Sequence, residues 1–192
     1  MSNSLMIRRV RPEEYAQVGA LLRAAYEASY ELDAEYLAEI EDVASRDAVA
    51  QVLVVEEDDR ILGSVTVPHE GDRLQSDSAP GEMDMRLLGV SEEARGRGIG
   101  ELLMRHCAKL ARDRGAHRLV LHTGHFMEAA QRLYERLGFV RLPEREFTTQ
   151  VDRGEVRIIS YGLDLVPKSK PELDPLCENL DGPREEAQSV EA

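Results

Sequence analysis

Tryptophan is absent from this 192-residue sequence, phenylalanine occurs three times, and cysteine only twice, at Cys107 and Cys177. One cysteine sits inside a helical pattern and the other far downstream, which makes no disulfide framework and leaves a reducing, cytoplasmic setting as the expectation. No window approaches the ~18 apolar residues of a membrane span. The first eleven residues carry their arginines after, not before, a short apolar piece, unlike a secretory leader. Export and membrane insertion are therefore not expected. Positive charge is also scarce: 24 Lys and Arg against 37 Asp and Glu give a net charge of −13. That is the wrong sign for a nucleic-acid surface and the right one for attracting a cationic substrate. No internal repeat is present.

What the chain does have is 42% hydrophobic residues, enough at this length for one sizeable core. One domain over residues 1–166 is expected. From Pro167 onward Lys, Ser, Pro and Glu dominate and no period can be read, so 167–192 is expected to be an acidic, disordered tail.

Within 1–166 the pattern alternates between strands and helices. Leu5 to Val10 reads as an edge strand, and Pro12-Glu13-Glu14 starts a helix, with proline in the first turn and acids matching the dipole. A second helical pattern covers Ala34 to Ala44. Val52 to Val55 and Ile61 to Val67 form a hairpin that Pro68 stops. After a polar loop, His69 to Glu82, come a strand (Met83 to Val90), a helix (Ile99 to Arg114) closed by Gly115, and a strand (Leu119 to His122). A helix (Met127 to Leu137) closed by Gly138 and strands near Phe139 to Leu142 and Val156 to Leu165 complete an α/β chain of order β-α-α-β-β-β-α-β-α-β-β.

The most informative stretch is Arg95-Gly96-Arg97-Gly98-Ile99-Gly100, between an apolar strand and a helix. Closely spaced glycines let the backbone approach a ligand, a helix N-terminus offers free N–H donors, and two arginines suit phosphate oxygens. A P-loop needs a lysine and hydroxyl that are missing here. The dinucleotide fingerprint finds Glu101 in its last glycine position, and the strand ending at His122 supplies no acid for a ribose.

Arg-x-x-Gly-x-Gly after Leu88-Gly89-Val90 instead resembles the acyl-CoA site of the GNAT superfamily of N-acetyltransferases. Ala130-Gln131-Arg132-Leu133-Tyr134-Glu135-Arg136-Leu137-Gly138-Phe139, about forty residues on, resembles that family's Leu-Tyr-Glu-x-x-Gly-Phe segment, and the likeness covers residues 5 to 166. The resemblance implies a mixed, mostly antiparallel sheet flanked by helices, and transfer of acetyl from acetyl-CoA directly to a primary amine of a small molecule or protein. It implies a cofactor-binding set of Leu88, Gly89 and Val90, then Arg95, Gly96, Arg97, Gly98, Ile99, Gly100 and Glu101. One departure is Met127, where many members carry an asparagine that contacts the cofactor; a thioether lacks an amide's donors.

The chemistry needs two proton handlers. An amine of ordinary pKa, ~10.4, must be neutral to attack, which at pH 7 costs about 4–5 kcal/mol. Tyr134 matches the family's acid for the departing thiolate, although its i, i+3, i+4, i+7 spacing with Ala130, Leu133 and Leu137 also fits a core stripe. For the base, Asp84 occupies the position of the family's glutamate. Strict alternation puts Asp84 on one face with Arg86, Leu88 and Val90, where an Asp84–Arg86 ion pair is an equal alternative. His122, at a strand end flanking the acyl site, has the better-matched pKa, ahead of His69 and His125. The spacing of His117, His122 and His125 does not assemble a metal site, and none is expected. Cys107 lies on the apolar stripe with Ile99, Leu103 and Leu110 and reads as packing rather than nucleophile.

Acceptor recognition is expected from Tyr26 and Tyr30, with Tyr36 and Glu35 nearby, from the His69 to Glu82 loop, and from the segment before the last strand. A catalytically silent acyl-CoA sensor is the competing reading. Pairing with a second copy through sheet edges stays open.

Overall fold

A computed structural model describes residues 4–152 and 154–165. The tail assigned to 167–192, with Cys177, lies outside the described residues. The chain begins with β1 (Met6–Arg9) and a single 3-10 turn (Pro12–Glu14), in which the Arg11 N–H donates to Glu14 Oε2 at 2.8 Å. It then enters α1 (Tyr15–Glu27). The helical pattern expected over Ala34 to Ala44 is two helices, α2 (Ala34–Glu41) and α3 (Val43–Val49). Asp42 breaks it: its backbone leaves the helical region (φ −78°, ψ 72°), and its side chain accepts from the Ser45 N–H at 3.1 Å, capping α3.

The hairpin β2 (Gln51–Glu57) and β3 (Arg60–Val67) turns through Asp58 and Asp59, both at positive φ, as a two-residue hairpin turn requires. β4 (Glu82–Val90), α4 (Ile99–Asp113), β5 (Arg118–Gly124) and α5 (Glu128–Arg136) follow the expected order. The strand expected near Phe139 is only β6 (Val140–Arg141), and β8 spans Gly154–Asp164. Between them β7 (Phe147–Val151) pairs antiparallel with the first residues of β8, a strand the sequence pattern did not announce because its residues alternate weakly and remain largely exposed.

The eight strands form one sheet in the order β1-β2-β3-β4-β5-β8-β6, with β7 also on β8. Among the described residues only the β4–β5 pair is parallel. Apolar residues on its two faces build two cores. Val18, Leu22, Leu37, Ile40 and Val43 from α1, α2 and α3 cover one; Ile99, Leu103, Cys107 and Tyr134 from α4 and α5 cover the other.

Two irregularities in β4 set the geometry of its C-terminal half. Thr66 faces Arg86 and Ser64 faces Gly89, so Val65 opposes two residues, Leu87 and Leu88; Leu87 takes φ 55°, unusual for a branched side chain. This bulge shifts the alternation. Met83, Met85, Leu88 and Val90 pack toward α4, whereas Leu87 packs with the α1 side. Leu88 and Val90 therefore do not share a face with Arg86, contrary to the strict alternation expected. The second irregularity is a splay: β4 pairs with β5 only from Glu82↔Arg118 to Met85↔Leu121, and beyond that point β4 stays with β3 while β5 stays with β8.

Candidate active site

The splay opens a cavity of about 1560 Å³, lined on one side by Leu87 to Val90 of β4 and on the other by His122 to Gly124 of β5. At one end lies the glycine turn. Gly96 (φ 75°) and Gly98 (φ 80°) are left-handed, and a Cβ on either would meet nothing within 4 Å, so the backbone here is open rather than packed. Gly98 caps α4 without a side-chain bond, and the first helical bond runs from the Leu102 N–H to the Gly98 carbonyl at 2.9 Å. The N–H groups of Gly96, Gly98, Ile99, Gly100 and Glu101 have no acceptor among the described residues. Five donors without an acceptor at the positive end of a fifteen-residue helix have the chemistry of an anion cradle.

The two arginines of the turn are placed differently. Arg95 donates to the Ala25 carbonyl at the end of α1 at 2.8 Å and lines the cavity. Arg97 points to the β2–β3 hairpin, where one nitrogen lies 2.8 Å from both oxygens of Glu57. Glu101 pairs with Arg105 on its own helix. Gly89 serves packing: a Cβ there would stand 2.5 Å from Leu22 Cδ2, so a glycine lets α1 lie directly on β4.

Past the cradle, Tyr134 projects from α5 into the cavity lining, its ring held by Phe139 and Tyr161 at centroid distances of 6.0 and 5.7 Å. Burial raises its phenol pKa well above the ordinary value, and its hydroxyl has no hydrogen-bond partner among the described residues, so it is a protonated donor without an acceptor. The core-stripe and cavity readings of Tyr134 are thus not exclusive. Cys107, fully buried and with its thiol pushed up to about 12 by burial, is packing.

On the opposite face of the sheet, His122 sits just beyond the last β4–β5 pair. Its Nε2 is 3.0 Å from Asp77 Oδ2, a contact poorly aligned for a directed hydrogen bond that becomes an ion pair only when the ring is protonated, and Phe147 of β7 meets the ring edge-on at 5.7 Å. Burial lowers the His122 pKa, opposed by Asp77, so the ring is neutral near pH 7. Asp84 lies on the same face but is fully buried, and its oxygens are engaged: Leu74 N–H at 2.9 Å, Gln75 N–H at 2.7 Å and Ser78 Oγ at 2.7 Å all donate to Oδ2, with Leu74 also 3.0 Å from Oδ1. Arg86 turns away to Glu39 of α2 at 2.7 Å, so the Asp84–Arg86 pair does not form.

The rest of the lining is largely aromatic and acidic. Tyr26, Tyr30 and Phe126 meet edge-to-face in series, at 6.2 and 5.5 Å. Tyr36 also lines the cavity; Glu35 does not. Asp33, Asp77 and Glu144 contribute carboxylates, while the cations on this side are neutralised, Arg86 by Glu39 and Arg145 by the buried Glu82.

A family model described as the acetyltransferase (GNAT) family matches residues 15–139. The chain belongs to the GNAT acetyltransferase family. Among similar proteins, mycothiol acetyltransferase of Cellulomonas flavigena is 38% identical over 95 residues, 48% of this chain and 27% of the relative. N-alpha-acetyltransferase 30 of Schizosaccharomyces pombe is 35% identical over 88 residues, 44% of this chain and 54% of the relative. The chain thus spans about a quarter to a half of the length of these relatives. Of solved structures, yncA, a candidate acetyltransferase of Salmonella typhimurium determined with its cofactor acetyl-CoA, superposes with a TM-score of 0.60 at 21% identity, covering 90% of this chain and all of that one.

Within this GNAT domain the cavity gathers Tyr26, Tyr30, Leu88, Gly89, Val90, Arg95, Gly96, Gly98, Ile99, Gly100, Glu101, His122 and Tyr134 from the residues expected on sequence grounds, and excludes Asp84 and Arg97 from its lining. Sequence reasoning missed Asp77, Phe126, Phe147 and Thr123. Asp77 carried no signal beyond lying in a polar loop. Thr123 is 6% exposed, lines the cavity, and its hydroxyl has no partner among the described residues. Alternation along β5 was the available clue, since Thr123 shares the Leu121 face while His122 takes the other.

Proposed function

We propose that this GNAT chain transfers the acetyl group of acetyl-CoA directly to a primary amine, in a reducing, cytoplasmic setting. The observation that carries the reading is the row of unpartnered main-chain N–H groups at Gly96 and Gly98 to Glu101, opening on a cavity that reaches both Tyr134 and His122. A diphosphate fits that cradle: its donors lack acceptors, and the open flank of Gly96 and Gly98 leaves room for oxygens. Bound there, acetyl-CoA supplies the activated acetyl thioester.

The protein's own groups supply positioning and proton transfer. The N–H cradle and Arg95 hold the phosphates, while Leu88 to Val90 line the path between cradle and splay. Neutral His122 takes the amine proton, its imidazolium then offset by Asp77. Asp84 is less suited to that task because four donor contacts already occupy its oxygens. Tyr134 gives a proton to the thiolate as it departs, and its raised pKa keeps the phenol protonated until then. The aromatic and acidic wall with Tyr26 and Tyr30 draws in a cationic amine.

Calorimetric titration with CoA, followed by thiol release from acetyl-CoA with a panel of amines, tests this. Binding with amine-dependent thiol release is the expected result. Binding without release favours the sensor reading, and no binding overturns both.

A further inference from the structure

The His69 to Glu82 segment joins β3 to β4 and carries Asp77, the carboxylate that faces His122. Little apolar packing holds this segment: of residues 69–81 only Ser78 is buried. Its end is fastened by the Ala79 N–H on Glu82 Oε2 at 2.9 Å and the His117 N–H on the Gly81 carbonyl at 2.8 Å, whereas around Asp77 the tie to β4 is Asp84. That carboxylate is fully buried on β4, within the stretch still paired to β5, and it gathers the Leu74 and Gln75 N–H groups and the Ser78 hydroxyl from the loop at 2.7–3.0 Å. A buried carboxylate with three donors from one loop acts as an anchor, because moving the loop would strand a charge without solvation. Asp77 lies between Gln75 and Ser78, so the anchored residues bracket it in the chain.

We propose that Asp84 is a positioning residue, latching the 74–78 loop so that Asp77 stays against His122 and sustains that histidine as the proton acceptor. The inference rests on the acetyltransferase reading above. The charged groups facing His122 are Asp77 from the loop, Asp84 from β4 and Arg145 from the turn before β7; the first two favour its protonated form and the third opposes it. Loosening the latch withdraws Asp77, so the imidazole loses basicity and the acidic limb of the rate profile moves to lower pH.

The test uses pH–rate profiles of kcat/KM together with amide exchange. Ser78→Ala removes one latch bond without altering charge, and Asp84→Asn weakens all of them. Both are expected to speed exchange in the 72–80 segment, by at least about tenfold for Asp84→Asn, and to shift the acidic limb downward. Asp84→Asn also removes a charge acting on His122 through space. In an Asp77→Asn background it should therefore shift the limb by less than in the wild type, and Ser78→Ala should not shift it at all. Equal shifts in both backgrounds, or faster exchange with an unmoved limb, overturn the latch. If His122→Gln keeps the wild-type acidic limb, the fault lies instead with His122 as base, a distinguishable failure. Should Asp84→Asn not fold, the Ser78→Ala pair of profiles decides alone.

Discussion

At the scale of single residues, the site assigns different work to groups that look alike in the sequence. Asp84 and Asp77 are both acidic and seven positions apart, yet one is sealed under a loop by four donor contacts and the other meets an imidazole at the cavity edge. Tyr134 and Tyr161 are neighbours, but the Tyr161 hydroxyl is spent on Glu135 at 2.9 Å whereas the Tyr134 hydroxyl has no partner among the described residues. Tyr134→Phe should lower turnover at least about tenfold, the low end for a general acid, with CoA affinity by calorimetry unchanged, since the ring still packs on Phe139 and Tyr161. Unaltered turnover would remove the acid role. A second test is His122→Gln, which should abolish the acidic limb of kcat/KM: with His122 as the proposed proton acceptor only its neutral ring can act, so wild-type activity should rise with pH through the lowered His122 pKa and the variant's should not.

At the scale of elements, one ion pair ties the last strands to the middle of the sheet. Glu82, whose side chain is 1% exposed at the start of β4, accepts from Arg145 at 2.7 and 2.9 Å and from the Ala79 N–H at 2.9 Å, while Arg145 sits just before β7, which delivers Phe147 to His122. Burial alone would raise the Glu82 pKa, but Arg145, the Ala79 N–H and Arg118 together leave it lowered. A carboxylate lowered on folding stabilises above its unfolded value and loses that contribution as pH falls through the folded one. Glu82→Gln should therefore destabilise by about 1–3 kcal/mol at pH 7, because Arg145 loses its charged partner, and by less at pH values well below ~4.5, where the wild type also loses the charge. Urea unfolding at both pH values checks this; an equal deficit at each would disprove the sign. The same scale explains why elements differed from the sequence pattern. Asp42 ended α2 because its carboxylate captured an N–H, a competition that helical periodicity does not register. The β4 bulge turned on one residue of register, which flips every later side chain.

At the scale of the whole molecule, the net charge of −13 becomes directional only in three dimensions. Arg95 and the N-terminus of α4 lie at one end of the cavity, whereas its lining elsewhere carries Asp33, Asp77 and Glu144, and Arg86 and Arg145 are paired with Glu39 and Glu82. Raising salt from about 0.02 to 0.5 M shortens screening from roughly 20 Å to under 5 Å. The KM for a cationic amine should then rise about threefold or more with kcat nearly constant, measured by initial rates. A KM indifferent to salt would show that the mouth's charge plays no part in capture.

The sequence by itself determined the order of helices and strands apart from the α2–α3 break and β7, along with the glycine turn before α4 and the Tyr134 stripe, because those depend on local period, on glycine's freedom at positive φ and on neighbours within one helix. It also exposed the family likeness. Only the tertiary structure decided which face Leu88 and Val90 take, that β4 and β5 part after Met85, that Arg97 turns to Glu57, and that Asp77 rather than Asp84 meets His122. Those outcomes come from contacts between segments distant in sequence, where a bulge, a buried carboxylate and a capturing ion pair each choose one partner among several that the sequence left equally available.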